Sequence, residues 1–293
     1  MSETIPNYTC PINMSVKTTV ITGATSGIGE ATALALAKEK HTLYLLVRDV
    51  EKGHQLQKDL VRRVGNDEIY VVKCDLADLQ SVKDAAEYLK RKLTSINVLI
   101  NNAGGMFDKL ELSKDGFEMT FAVNHLGHFA LTTYLMPLLQ KGNARIINVS
   151  SEAHRMAKPD FNNLRGEKEY SGLRAYANAK LYSIYFAESL AERYGNKGIT
   201  AYSLHPGVVK TNFGSQMRGF RHFLLWLTTP FMISPQKGAK TSVYLATAPR
   251  LEMESGRYFK KSKPSHSSNL ADDFAIRNQL WNISAELITQ PDK

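Results

Sequence analysis

Apolar positions along this chain fall into two alternating patterns. The first is a short, mostly unbroken run rich in Val, Ile and Leu, found at 17–23, 42–48, 69–75, 98–103, 145–150, 200–205 and 257–260. Such runs predict strands of a parallel sheet covered on both faces. The second is a longer stretch that predicts a helix, at 27–40, 50–64, 79–93, 116–140, 175–194 and 235–247, with a C-terminal helical segment near 270–287. Strands joined by crossover helices make an α/β chain: a doubly wound parallel sheet of about seven strands with helices on both faces. Ligands of such a sheet bind at the carboxyl ends of its strands.

Composition narrows this only a little. The chain has 293 residues, 43% of them hydrophobic, and no linker, repeat or low-complexity block divides it, so a single domain over 1–293 is expected. Residues 1–16 form a polar extension with no apolar core, which predicts neither a signal peptide nor a membrane span. Cys10 and Cys74 do not suggest a disulfide framework, and Cys74 is expected as a buried, reduced thiol. Of the four sequons, at Asn7, Asn13, Asn148 and Asn282, the one at Asn148 lies in a predicted core strand. The formal charge of +9 is scattered and accompanies no nucleic-acid motif, so a basic surface serving an anionic cofactor is expected and no nucleic-acid partner. A cytoplasmic protein is the expectation, with peripheral membrane contact as an alternative.

The chemistry is concentrated at the predicted strand ends. After the first strand the chain reads Thr22-Gly23-Ala24-Thr25-Ser26-Gly27-Ile28-Gly29 and runs into an Ala/Leu-rich helix. Glycines let backbone approach a ligand closely, and the first turn of a helix offers free N–H groups to a pyrophosphate. Arg48 ends the second strand, where an acid would bind the ribose of NAD and an arginine accommodates the 2′-phosphate of NADP. Asp49 is either that acid after a one-residue shift or the cap of the next helix. Asn101-Asn102-Ala103-Gly104 ends the fourth strand, with small residues that let backbone lie against a ribose and asparagines that brace the neighbouring turn. Downstream stand Ser151 and Tyr176-Ala177-Asn178-Ala179-Lys180. Positions i and i+4 share a helix face, so Lys180 sits beside Tyr176, and its cation is expected to lower the phenol pKa and ready Tyr176 for proton exchange. His125 and His128 are spaced i, i+3; packing is the expectation for both, and no metal site is.

The glycine spacing, the NNAG segment, Y-x-x-x-K and the Pro-Gly strand end, in this order, resemble the short-chain dehydrogenase/reductase family over about 18–259. The segment Phe161-Asn162-Asn163-Leu164-Arg165-Gly166-Glu167-Lys168 resembles its retinol-dehydrogenase-like branch. The resemblance implies a Rossmann fold and a nicotinamide cofactor bound by Gly23, Thr25, Ser26, Gly27, Ile28, Gly29, Arg48, Asp75, Leu76, Asn102, Ala103, Gly104, Tyr176, Lys180, Pro206, Gly207, Val208 and Thr211. NADP(H) is expected, with NAD(H) as the alternative. Asp75-Leu76 would contact the adenine, although Asp75 also reads as an ordinary turn or cap residue. Val208 would meet the nicotinamide carboxamide, and Thr211 the carboxamide or a phosphate. The implied catalytic set is Asn124, Ser151, Tyr176 and Lys180, with Asn124 holding a water that joins the lysine to solvent and Ser150 supporting the backbone turn.

Residues 213–234 hold Phe220, Phe223, Leu224, Trp226 and Leu227 among basic residues. They read as a substrate lid, as a patch touching membrane, or as a packed helix or homodimer contact. The expected activity is interconversion of a small apolar aldehyde or ketone and its alcohol. A non-catalytic dinucleotide-binding regulator and a reductase of a conjugated double bond are the alternatives.

Overall fold

The computed structural model describes residues 16–209 and 233–289. Within them lie β1 (Thr18–Thr22), α1 (Gly27–Lys38), β2 (Thr42–Val47), α2 (Val50–Val64), β3 (Ile69–Lys73), α3 (Leu79–Lys92), β4 (Val98–Asn101), α4 (Met119–Phe121), α5 (Gly127–Lys141), β5 (Arg145–Val149), α6 (Gly172–Tyr194), β6 (Thr200–His205), α7 (Pro235–Thr247), β7 (Tyr258–Lys260), β8 (Lys263–Pro264) and α8 (Phe274–Leu287). The strands form one sheet in the order β3-β2-β1-β4-β5-β6-β7-β8. All pairs are parallel except β7 with β8. The seven expected strands are present. The eighth is a two-residue return of β7, too short and polar to leave an apolar run.

The apolar runs account for the layers. Leu36 of α1, Leu56 and Leu60 of α2 and Leu245 of α7 close over one face of the sheet. Val82 and Leu89 of α3, Phe129 and Leu135 of α5 and Phe186 of α6 close over the other. The sheet order reverses direction between β1 and β4, which opens the ligand crevice of a doubly wound sheet above their carboxyl ends. α8 straps this second layer: Trp281 meets Phe129 edge to face at 5.0 Å between ring centres, and Arg277 reaches Glu188 at 2.9 Å and Glu192 at 2.7 Å.

Three helices differ from expectation, the C-terminal one beginning at Phe274 rather than near 270, after a 3₁₀ turn at Asn269–Asp272. The single helix expected over 116–140 is split into α4, a π-turn at Ala122–Leu126, and α5. α6 begins at Gly172 rather than 175, capped by Ser171. Among the described residues, no helix is long and apolar enough to cross a membrane. Cys74 is buried and its thiol is pushed up to about 12 by burial. Asn148 is buried in β5.

Candidate active site

The glycine turn is built from close contacts. Gly23 and Gly27 have φ of +66° and +58°, a region that favours glycine. A Cβ on Gly29 would lie 2.1 Å from the Gly23 carbonyl oxygen, and one on Gly23 would lie 2.7 Å from the Ala103 Cα. β1, α1 and the NNAG segment therefore touch backbone to backbone. Asn102 ties them together: its Nδ2 donates to the carbonyls of Thr22 at 2.9 Å and Gly23 at 3.1 Å. Ser26 takes the N-cap position of α1 without a side-chain cap. The first-turn amides of α1, beside Thr25, Ser26, Gly27 and Ile28, are thus left facing the crevice with the helix dipole behind them. With Gly23 and Gly29 holding the turn this close, these amides fit a pyrophosphate.

At the end of β2, Asp49 caps α2, accepting from the Lys52 amide at 3.1 Å and pairing with the Lys52 Nζ at 3.2 Å. Its carboxylate is therefore committed to the helix. Arg48 is exposed beside it and has no carboxylate within 4 Å among the described residues. Asp75 accepts from the Ala77 amide at 3.1 Å, the turn role that was its alternative reading, while keeping a second oxygen. Leu76 is buried, and its carbonyl oxygen abuts Gly127 of α5.

Ser151, Tyr176 and Lys180 come together above β5. Lys180 is buried and donates to the Val149 carbonyl at 3.0 Å, with its Nζ 5.4 Å from the centre of the Tyr176 ring. Ser150 donates to the Lys180 carbonyl at 2.6 Å and so pins α6 to the end of β5. Ser151 opens a 3₁₀ turn, Glu152–Met156, and forms a hydrogen bond with Tyr176. Burial pushes Lys180 down to about 8. The expectation that its cation would depress the phenol is not met in the chain itself: burial pushes Tyr176 up to about 12, and only the Ser151 bond opposes this. A group removed from water favours its neutral form, and here that outweighs a cation whose hydrogen bond goes to Val149.

Asn124 lies in the π-turn, and its side chain clamps Gly105, accepting from its amide at 2.8 Å and donating to its carbonyl at 2.9 Å. A Cβ on Gly104 would lie 2.9 Å from Asn124 Oδ1 and 3.3 Å from Lys180 Nζ. Gly104 thus lets the NNAG segment lie close to Asn124 and the lysine. His125 packs among Phe121, Phe129, Tyr182 and Phe186 and bonds Ser284 at 2.8 Å. Sequence reasoning missed Thr22, Val149 and Gly105 as partners, because each acts across strands and carries no local spacing.

Pro206 and Gly207 end β6, with Gly207 at φ +94° against Ile233. The Val208 carbonyl accepts from the Ile233 amide at 2.8 Å, and Val209 pairs with Ile233. Thr211 and nearly all of the expected lid, 213–234, lie outside the described residues. In the segment resembling the retinol-dehydrogenase-like branch, Arg165 donates to the Gly116 carbonyl at 2.9 Å; just after it, Tyr170 donates to that of Phe107 at 2.6 Å.

A glycine turn at a sheet switch point, with a serine, a tyrosine and a lysine gathered above the neighbouring strand, is the arrangement of a dinucleotide-binding α/β protein. The family model for short chain dehydrogenases matches residues 17–221. Human retinol dehydrogenase 11 is 39% identical over 284 residues, covering 97% of this chain and 89% of that protein. Mouse retinol dehydrogenase 13 is 36% identical, covering 98% and 89%. Among solved structures, an uncharacterized protein from Mycobacterium Paratuberculosis superposes with a TM-score of 0.75 at 31% identity, covering 94% of this chain and 95% of that one. NADPH-bound carbonyl reductase from chicken fatty liver, at 22% identity and TM-score 0.66, covers 86% and 99% and shares the fold. The chain belongs to the short-chain dehydrogenase/reductase family of oxidoreductases, in its retinol-dehydrogenase-like branch.

Proposed function

We propose that this protein is an NADP(H)-dependent oxidoreductase that interconverts an apolar aldehyde or ketone and its alcohol, with Tyr176 as general acid and base. One observation carries the reading: Ser151, Tyr176 and Lys180 converge above β5 beside Gly104, the residue after the Ala103 that meets the glycine turn. Nicotinamide, when bound, supplies or accepts the hydride. The protein's own residues do the rest. The Ser151 hydroxyl and the Tyr176 phenol hold the substrate oxygen, and the phenol delivers its proton to that oxygen during reduction. A phenol at about 12 holds its proton at neutral pH, which suits the acid role. Lys180 would hold the ribose of the bound nicotinamide, and Asn124 and Gly105 fix the backbone next to Gly104. The names of the relatives make retinol and retinal the first substrate pair to examine, and simpler apolar aldehydes the second.

Tyr176→Phe should lower turnover by ~10²–10⁴-fold while leaving NADPH binding intact. Steady-state rates beside a fluorescence titration with NADPH check this. Activity within a few-fold of the parent enzyme removes Tyr176 from the role.

A further inference from the structure

His128, which the proposed chemistry does not use, lies behind the Lys180 pocket with both ring nitrogens engaged. The ring is buried. Its Nε2 is 2.9 Å from the Thr22 hydroxyl oxygen and its Nδ1 is 3.3 Å from the main-chain oxygen of Asn124. Which nitrogen carries the proton follows from counting donors. The Thr22 oxygen already accepts from the amides of Asn102 and Ala103, each at 3.0 Å. A hydroxyl has two lone pairs, so a third donor has no place, and its own hydrogen must point outward. Two acceptors are in reach, the Ile100 carbonyl at 3.4 Å and His128 Nε2 at 2.9 Å. The shorter contact takes the hydrogen. Nε2 is therefore the bare nitrogen, and Nδ1–H donates to Asn124. The opposite tautomer would crowd three donors on Thr22 and face a nitrogen lone pair against a carbonyl oxygen.

This makes one directed chain. The amides of the cofactor segment donate to Thr22, Thr22 to His128, and His128 to the Asn124 carbonyl. At one end Asn102 braces the glycine turn. At the other, the Asn124 side chain clamps Gly105, next to the glycine that borders Lys180. In the π-turn the backbone bonds run from i to i+5, and the Asn124 carbonyl takes the imidazole as a side-chain donor besides. Burial, aided by the Lys180 cation, pushes the imidazole down to about 4 and keeps it neutral at working pH.

We infer that His128, as the neutral Nδ1–H tautomer, is a positioning residue that holds the Asn124 π-turn and the Lys180 pocket in register with the glycine turn. The kinetic side of this inference rests on the proposed oxidoreductase reading; the tautomer does not. Imidazole ¹⁵N NMR of the full chain should show a protonated Nδ1 and a bare Nε2 on His128 from pH 6 to 9. A protonated Nε2 overturns the inference. His128→Leu removes both bonds at similar bulk, and His128→Gln keeps one donor and one acceptor. With sites counted by NADPH fluorescence titration, kcat per site should fall roughly 10- to 100-fold in His128→Leu, as expected for buried groups left unpaired. The carbonyl KM should stay within about threefold, and His128→Gln should recover most of the loss. A kcat per site within about twofold of the parent, as a merely structural residue would give, overturns it. If His128→Leu does not fold, Thr22→Val should reproduce its loss and Thr22→Ser should not; equal behaviour of the two overturns the inference. A parent protein that binds NADPH but turns over no carbonyl sinks the proposed activity alone, and the ¹⁵N tautomer then decides the fate of this inference by itself.

Discussion

Arg48 and Asp49 are neighbours of opposite charge at the point where a dinucleotide fold reads the second ribose, and the structure separates their work. Asp49 spends its carboxylate on the N-terminus of α2 and on Lys52. Arg48 stays exposed, with the Nζ of Lys73 on its own carbonyl adding a second cation nearby. This supports a preference for NADPH, since a 2′-phosphate needs a cation and a charge-assisted bond is worth ~1.5–3 kcal/mol. Arg48→Ala should then raise the NADPH dissociation constant by roughly 10–150-fold and leave NADH nearly unchanged. Fluorescence titration with both cofactors distinguishes the outcomes. Equal weakening of the two, or a parent protein that prefers NADH, refutes the assignment.

At the scale of elements, the β1–α1 turn is set by contacts that admit no side chain. Gly29→Ala puts a methyl 2.1 Å from the Gly23 carbonyl oxygen and 2.5 Å from Asn102 Nδ2. Both are braced, so α1 must move. The expected cost is ~1–3 kcal/mol of stability from overpacking, together with loss of NADPH affinity. Gly195→Ala, with nothing within 4 Å of its new methyl, is the silent comparison. Thermal melts and NADPH titration of both variants test the contrast, and a Gly29→Ala protein that binds like Gly195→Ala contradicts it. Such elements were legible in the sequence because their signals are local. Unbroken apolar runs marked the strands, and glycine spacing marked the turn. The π-turn was not legible, because Ala122–Leu126 keeps the apolar pattern of the helices around it and differs only in its ladder. Nor was the pairing of Asn101 with Asn148, whose side chains meet at 2.8 Å across β4 and β5. The lowered phenol pKa was read from Y-x-x-x-K alone; how deeply the ring and the lysine are buried is a property of the whole fold.

At the scale of the molecule, the sheet, the cradle and the Ser151–Tyr176–Lys180 pocket form a fixed frame, and the pinned contact of Val208 and Val209 with Ile233 is where that frame meets residues 210–232. The chain leaves and returns through one doorway, two residues wide, beside Gly207. Closing a chain segment costs only ~0.6 kcal/mol more for each doubling of its length. On that scale, changing how many residues lie between Val209 and Ile233 costs little for the contact that closes them. If residues 210–232 carry the substrate contacts expected of 213–234, substrate range can be rewritten there without touching the frame. Grafting the equivalent segment of a retinol dehydrogenase relative in place of residues 212–232, with the expected cofactor contact Thr211 kept, should change the ranking of carbonyl substrates and leave the NADPH dissociation constant within about twofold, a shift under ~0.5 kcal/mol. A graft that folds but no longer binds NADPH would mean that the doorway does not insulate the frame after all.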